Sequence, residues 1–201
     1  MAANDYHFIT HWTIEGTIKE VVDILADASD LPRWWPSVYL NVQELAAGDE
    51  QGIGKVVDLY TKGWLPYTLC WQFRVAEIYL DGLSIEASGD FDGRGVWTFG
   101  QNGPFVDIVY DWRIRAGKPL LRRLSWLLKP IFAANHRWAM AQGETSLKLE
   151  LARLRAAGEH VPLPPPPAAT SSGPFLGLGA VVIMIGLGYW LAQRIRDRGG
   201  V

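Results

Sequence analysis

The segment between Lys118 and Gly158 limits the possible folds most strongly, because its apolar residues recur at the spacing of one helix face. Pro119 suits the first turn of a helix, and Gly158 suits its end. The apolar residues that fall on one helical face are Leu120, Leu121, Leu124, Leu127, Leu128, Ile131, Phe132, Trp138, Ala139 and Leu149. A long helix that is apolar on one side needs a broad apolar surface to pack on. The sequence therefore predicts a long C-terminal helix that lies against a sheet.

The chain before this helix alternates between apolar and polar residues, which is typical of half-buried strands. We predict a first strand over residues 6–15 and a short helix after it, for which Thr17 and Glu20 form a capping box. A second short helix ends at Pro36. Six further strands are predicted over residues 38–45, 55–61, 69–75, 83–88, 95–100 and 106–114. Short connections rich in turn residues, among them Asp92-Gly93, indicate an antiparallel meander.

Large aromatic side chains are predicted to gather on one face of this sheet, because they occupy alternating positions of its strands. They are Trp71, Phe73, Trp97, Phe99, Tyr110 and Trp112. Phe132, Asn135 and Trp138 belong to the facing stripe of the long helix. Asp111 and Arg113 alternate with the aromatic residues, so we expect them on the outer face in a cross-strand salt bridge. The fold class is α+β, with the sheet packed on the helix.

Three stretches are distinctive: Asp30-Leu31-Pro32-Arg33-Trp34-Trp35-Pro36, Tyr110-Asp111-Trp112-Arg113-Ile114, and Asn135-His136-Arg137-Trp138-Ala139-Met140 with Gly143-Glu144. With the order of elements, they resemble the START-like (SRPBCC) helix-grip superfamily and, within it, the polyketide cyclase/dehydrase-like group. The resemblance covers residues 6–157. It implies a curved antiparallel sheet of about seven strands wrapped around the long helix, with a cavity for an apolar ligand between them. It implies no particular reaction, because this fold hosts binding proteins and enzymes alike.

Asn135, His136 and Tyr110 are the polar residues that such a cavity would contain. Asn135 lies near the centre of the stripe, so its amide either contacts a ligand or makes a structural bond to a neighbouring strand or a buried water. His136 lies at the edge, where it is either a solvated rim residue or a general acid–base group beside Asp111 or Tyr110. The predicted ligand contacts are the aromatic residues of the sheet face together with Phe132, Asn135 and Trp138.

Other kinds of site find little support in the sequence. The net charge of −2 argues against nucleic-acid binding. Gly93-Arg94-Gly95 indicates a hairpin turn rather than a phosphate-binding loop. His7 and His11 share a face, but no nearby cysteine or carboxylate completes a metal site. We therefore predict neither a metal nor a cofactor.

The composition changes after residue 158. Residues 159–174 are rich in proline and predict a linker between the domain, residues 1–158, and an apolar C-terminal segment. That segment, from Phe175 to Ala192, carries no charge, and arginines come after it at 194, 196 and 198. This pattern predicts a single membrane-spanning helix with a basic tail over 193–201.

The sequence contains two conflicting signals for the orientation of this span in the membrane. The arginines after the span favour a cytoplasmic C-terminus. The N-terminus has no export signal, and the single cysteine, Cys70, fits a reducing compartment. We favour a cytoplasmic domain with a short translocated tail.

Two functions from different classes are compatible with these features. The first is a membrane-tethered carrier or sensor that binds an apolar small molecule such as a lipid, isoprenoid, quinone or polyketide. The second is a cyclase or dehydratase-type enzyme that uses the same cavity, with His136 and Tyr110 as its catalytic residues. A tethered interaction module with a filled core is a third possibility, and a cavity-free structure would favour it.

Overall fold

The computed structural model describes residues 4–116, 119–159, 162 and 164–169, apart from the side chains of 116–128 and 159. The predicted membrane span over 175–192 and the basic tail over 193–201 lie outside the described residues. Among the helices that are described, none is both long and apolar enough to cross a bilayer.

Seven strands of the described chain form one antiparallel sheet. They are β1 (Asp5–Glu15), β2 (Tyr39–Ala46), β3 (Val56–Lys62), β4 (Thr68–Tyr79), β5 (Gly82–Gly89), β6 (Phe91–Asn102) and β7 (Phe105–Ala116). Strands β2 to β7 are consecutive in a meander, and β1 pairs with β7, so that β1 and β2 form the two edges. The predicted antiparallel meander is confirmed.

Three α-helices accompany the sheet in the described residues: α1 (Ile18–Ala26), α2 (Leu31–Trp34) and α3 (Pro119–Glu159). A single 3₁₀ turn, Ala28–Asp30, joins α1 to α2. The predicted capping box of α1 is confirmed, because the Glu20 amide donates to Thr17 Oγ1 and Glu20 Oε2 accepts from the Thr17 amide. A hydrogen bond from Arg155 of α3 lowers the pKa of Glu20 to about 2, so the cap also ties α1 to the end of the long helix.

The turn predicted at Asp92-Gly93, and with it the hairpin turn at 93–95, is wrong. Strand β6 runs through these positions, and the connection from β5 is made at residue 90. A Cβ on Gly93 would lie only 2.1 Å from the carbonyl oxygen of Arg113 in β7. The glycine therefore allows two strands to approach closely, a role that resembles turn chemistry in the sequence.

The inward face of α3 differs from the predicted stripe. Ile131 was predicted on the apolar face, but it is 40% exposed. The buried apolar residues in the second half of α3 are instead Met140, Leu147, Leu151 and Ala156, and Gly143 is buried on the same side. The predicted stripe residues at 120–128 lie outside the described side chains.

A buried carboxylate also faces inward from α3. Glu150 is 2% exposed, and Arg33 of α2 donates to its two oxygens at 2.7 and 3.0 Å. Removing one partner of such a pair would leave a buried group without its compensating bonds, which is strongly unfavourable. The ion pair therefore fixes the short α2 helix against α3.

Trp35, directly after α2, packs on α3 at Gly143. The indole is 3% exposed, and a Cβ on Gly143 would lie 2.2 Å from its ring. Trp12 of β1 meets the same indole edge-on, with ring centroids 5.7 Å apart. The missing side chain of Gly143 thus makes the space in which this tryptophan sits.

Replacing Gly143 with alanine should lower the free energy of unfolding by about 1–2 kcal/mol, because the cost of overpacking a buried ring exceeds the gain in helix propensity. Urea denaturation measures this change. Gly158→Ala is the matched control, since an added Cβ there would meet no described atom within 4 Å beyond its own helix backbone, and a small gain is expected. Equal effects of the two substitutions would show that Trp35 does not pack on Gly143.

Candidate functional site

Two cavities lie between the sheet and the helices. The first has a volume of about 170 Å³ and lies under the middle of α3. From α3, its lining residues are Phe132, Asn135, His136, Ala139 and Met140. The second has a volume of about 450 Å³ and lies below α1, α2 and the loop after β2. The second volume falls in the range that is usual for small-molecule sites.

The two cavities share one wall. Its members are Trp35, Tyr39, Trp71, Tyr110 and Met140, each of which lines both cavities. Four of the five are aromatic, so this junction offers flat apolar surfaces on both sides. We call these five residues the partition.

Stacked rings hold the sheet side of the partition in place. Tyr110 of β7 stacks on Trp97 of β6 with ring centroids 4.0 Å apart, and on Trp112 at 5.5 Å. Trp71 of β4 packs against Trp112 at 5.8 Å. The Tyr110–Trp97 pair joins the neighbouring strands β7 and β6, and the Trp71–Trp112 contact reaches across the concave face from β4 to β7, so the register and curvature of the sheet fix the shape of the cavity floor.

The predicted ligand contacts, with one exception, line the cavities. Trp112, Phe132 and Asn135 line the first cavity, and Phe73, Trp97 and Phe99 line the second. Trp71 and Tyr110 line both as members of the partition. Trp138 lines neither cavity; it is half-buried and packs against the core. The face of α3 that lines the first cavity carries Phe132, His136 and Ala139 instead.

Asn135 makes a structural bond. Its Oδ1 accepts a hydrogen bond of 3.3 Å from the Leu65 amide, in the connection between β3 and β4. A Cβ on Gly63 of the same connection would lie 2.1 Å from that oxygen, so the glycine lets the amide approach. Of the two predicted alternatives for Asn135, the structural bond is the one that its side-chain oxygen makes. The same side chain also lines the first cavity.

His136 is half-buried and stacked, rather than solvated at a rim. Its ring lies on Phe8 of β1 with centroids 4.2 Å apart and planes 13° apart, and it lines the first cavity. Burial and then the charge of Arg137 lower the pKa of His136 to about 4. The imidazole is therefore neutral at pH 7.

His136 does not meet Asp111, contrary to one of the two predicted arrangements. Asp111 lies on the other face of β7, where its Oδ1 is 3.0 Å from His7 Nε2. Arg113 donates to the same carboxylate at 3.0 Å and lowers its pKa. The outer-face position predicted for Asp111 and Arg113 is confirmed, but their salt bridge lies within β7 rather than across strands. The residue that meets Asp111 across strands is His7 of β1.

Sequence reasoning missed Tyr39 as a site residue. It is the first residue of β2, and its ring meets Trp35 edge-on at 5.1 Å. The available signal was its place shortly after the Trp34-Trp35-Pro36 segment, but only the folded chain shows that both rings reach the same wall. Trp35 belongs to a stretch that carries the family resemblance, but the sequence did not indicate that its ring forms part of the cavity wall.

Comparisons with known proteins agree with this architecture. No protein-family model matches the chain, and no curated protein matches it. Among solved structures, the Zhui aromatase/cyclase from Streptomyces sp. R1128 is similar with a TM-score of 0.60 and 16% identity, over 77% of this chain and 98% of that chain.

Two further solved structures are similar to the same extent. A START superfamily protein from Mycobacterium smegmatis has a TM-score of 0.58 and 13% identity, over 74% of this chain and 98% of that one. A protein from Thermus thermophilus has a TM-score of 0.56 and 15% identity, over 71% and 97%. At these identities the similarity concerns the backbone, and it shows that this chain has the helix-grip fold of START-type proteins.

Proposed function

We propose that this protein binds an apolar small molecule, such as a lipid, isoprenoid, quinone or polyketide, in the cavities between the sheet and α3. The observation that carries the proposal is the lining: mainly aromatic and aliphatic side chains from both layers, with a few polar and charged ones, surround a space that the helix leaves open. Burying apolar ligand surface there would contribute roughly 25 cal/mol per Å². The similar aromatase/cyclase and START folds support the same class of ligand.

The helix contributes small residues where the sheet contributes large ones. Ala139 of α3 lines the first cavity, and Gly143 lies one turn further on. Larger side chains at these positions would extend towards Trp35 and the aromatic floor. The cavity therefore depends on the size of a few helix residues, which makes it accessible to a direct test.

Ala139→Phe should weaken binding of the neutral fluorescent probe N-phenyl-1-naphthylamine at least about tenfold, because the added ring occupies the first cavity. Titration of the wild-type protein should give one saturable site. Ala141→Phe is the matched control, because Ala141 lies on the exposed side of the same helix and should leave the affinity unchanged.

Thermal unfolding of both variants checks that neither substitution has disrupted the fold. Unchanged affinity in Ala139→Phe, with the fold intact, would contradict binding in this cavity. Failure of the wild-type protein to take up any apolar probe would contradict the proposal as a whole.

A catalytic function is the second candidate. His136 and Tyr110 line the same cavity, and the neutral imidazole of His136 can accept a proton. A group whose pKa is about 4 is nevertheless a weak base at pH 7, because proton transfer to it has little driving force. Binding without turnover is therefore favoured over a cyclase or dehydratase-type reaction.

If His136 is the base of such a reaction, turnover of a poly-β-ketone thioester should be constant from pH 5 to pH 8. The imidazole is neutral above its pKa of about 4, so activity should fall only as the pH approaches that value. His136→Gln should abolish the turnover, whereas His11→Gln, at an exposed position on β1, should not. Unchanged turnover in His136→Gln and Tyr110→Phe would rule out this assignment.

We also propose that residues 175–192 anchor the domain to a membrane, with the domain on the cytoplasmic side. The support is the uncharged segment from Phe175 to Ala192 after a proline-rich linker. Such tethering would raise the effective concentration of the binding site next to the bilayer from which an apolar ligand partitions.

The full chain should stay with membranes after alkaline carbonate extraction, and a chain that ends at residue 170 should be released. Protease added outside intact cells should leave the domain uncut if it faces the cytoplasm. Release of the full chain by carbonate would contradict the anchor, and digestion of the domain in intact cells would contradict its orientation.

A further inference from the structure

Two phenol hydroxyls lie in the partition between the cavities without a hydrogen-bond partner among the described residues. Tyr39 comes from the start of β2 and Tyr110 from the middle of β7, at opposite parts of the sheet. Each ring lines both cavities. Tyr110 is 6% exposed, so its hydroxyl is enclosed by the protein and the cavity space.

Both hydroxyls stay protonated, so each can donate a hydrogen bond. Burial raises the pKa of Tyr39, and burial followed by the nearby Tyr39 raises the pKa of Tyr110. Both phenols therefore keep their protons at any physiological pH. A buried hydroxyl without a partner is unfavourable, so a group that enters the cavity and accepts these protons would be stabilised.

The other members of the partition offer no donor to the cavity space. The indole nitrogen of Trp71 donates to Thr61 Oγ1 at 3.1 Å. The indole nitrogen of Trp35 is fully covered by protein atoms, so it is not open to either cavity. Met140 has no donor group. The two phenols are thus the donors that the partition can present to a bound molecule.

The rings are fixed in position before any ligand enters. Tyr110 stacks on Trp97 with centroids 4.0 Å apart, and a Cβ on Gly95 would lie 2.7 Å from its hydroxyl oxygen. Tyr39 meets Trp35 edge-on at 5.1 Å. Donors that are already positioned lose little conformational entropy when they bind an acceptor.

We propose that the Tyr39 and Tyr110 hydroxyls donate to a carbonyl oxygen near the middle of a flat apolar ligand, whose two ends occupy the two cavities. A carbonyl oxygen has two lone pairs, so it can accept from two donors at once. The aromatic partition favours a planar ring system, and the mainly apolar linings on either side favour apolar ends. Charged side chains also line each cavity, among them Lys62 in the first and Lys55 in the second. This inference rests on the proposed function and specifies the chemical class of the ligand: an aromatic ketone or quinone.

The test compares two probes of the same shape, 9-fluorenone and fluorene, which differ in whether the central position carries a carbonyl oxygen. Binding to the full chain is measured by quenching of tryptophan fluorescence. Tyr39→Phe and Tyr110→Phe each remove one hydroxyl and keep the ring. Tyr60→Phe is the control, because Tyr60 lies exposed on β3 outside both cavities.

The wild-type protein should bind fluorenone more tightly than fluorene. Each cavity variant should lose about fivefold in affinity for fluorenone, the ratio that corresponds to one neutral hydrogen bond, and none for fluorene. Tyr60→Phe should change neither affinity. A purely structural role for the two tyrosines would lower the affinity for both probes together.

Two results would overturn the proposal in different ways. Equal wild-type affinity for the two probes, or equal losses for both in the variants, would reject the carbonyl site and leave apolar binding intact. Binding of neither probe by the wild-type protein would reject the apolar binding function and the carbonyl site with it.

Discussion

The packing of Trp35 against Gly143 is the contact on which the rest of the domain depends. It sets how closely α3 approaches the layer formed by α2 and the sheet, because the ring occupies the space of the absent side chain. The same indole contacts Trp12 of β1 and Tyr39 of β2, so it joins both edge strands to the helix. It also forms part of the partition, and one contact thereby determines both the docking of the helix and the division of the cavity.

This arrangement leaves the interior incompletely filled. The sheet supplies stacked rings, among them Trp97, Tyr110 and Trp112, whereas α3 faces the first cavity with the small residue Ala139. Empty apolar space lowers stability, because the surrounding atoms lose contacts that a filled core would provide. The buried ion pair of Arg33 with Glu150 and the cap formed at Glu20 hold the helices in place around that space. A ligand that fills the cavities would restore the missing contacts.

The sequence was sufficient for the order of elements, because strand alternation, capping and helical periodicity are local signals. It failed where a local signal has two physical causes: Gly93 serves close strand approach, although its neighbours suggest a turn. The face of α3 that turns towards the sheet could not be derived from apolar residues alone, since that face includes Gly143 and the ion-paired Glu150. The cavity was implied only by the family resemblance, and neither its division in two nor the place of Tyr39 in its wall could be derived from the sequence, because empty space is a result of packing between distant segments.

Native mass spectrometry of the purified full chain measures whether the space between the sheet and α3 holds an apolar molecule. We expect a one-to-one adduct, present on isolation or after incubation with aromatic ketones, quinones, isoprenoids and lipids, that is lost on extraction with organic solvent. The adduct should be absent when Ala139 is replaced by phenylalanine. A protein that shows only its own mass under all these conditions would show that this space is not a binding site for apolar molecules.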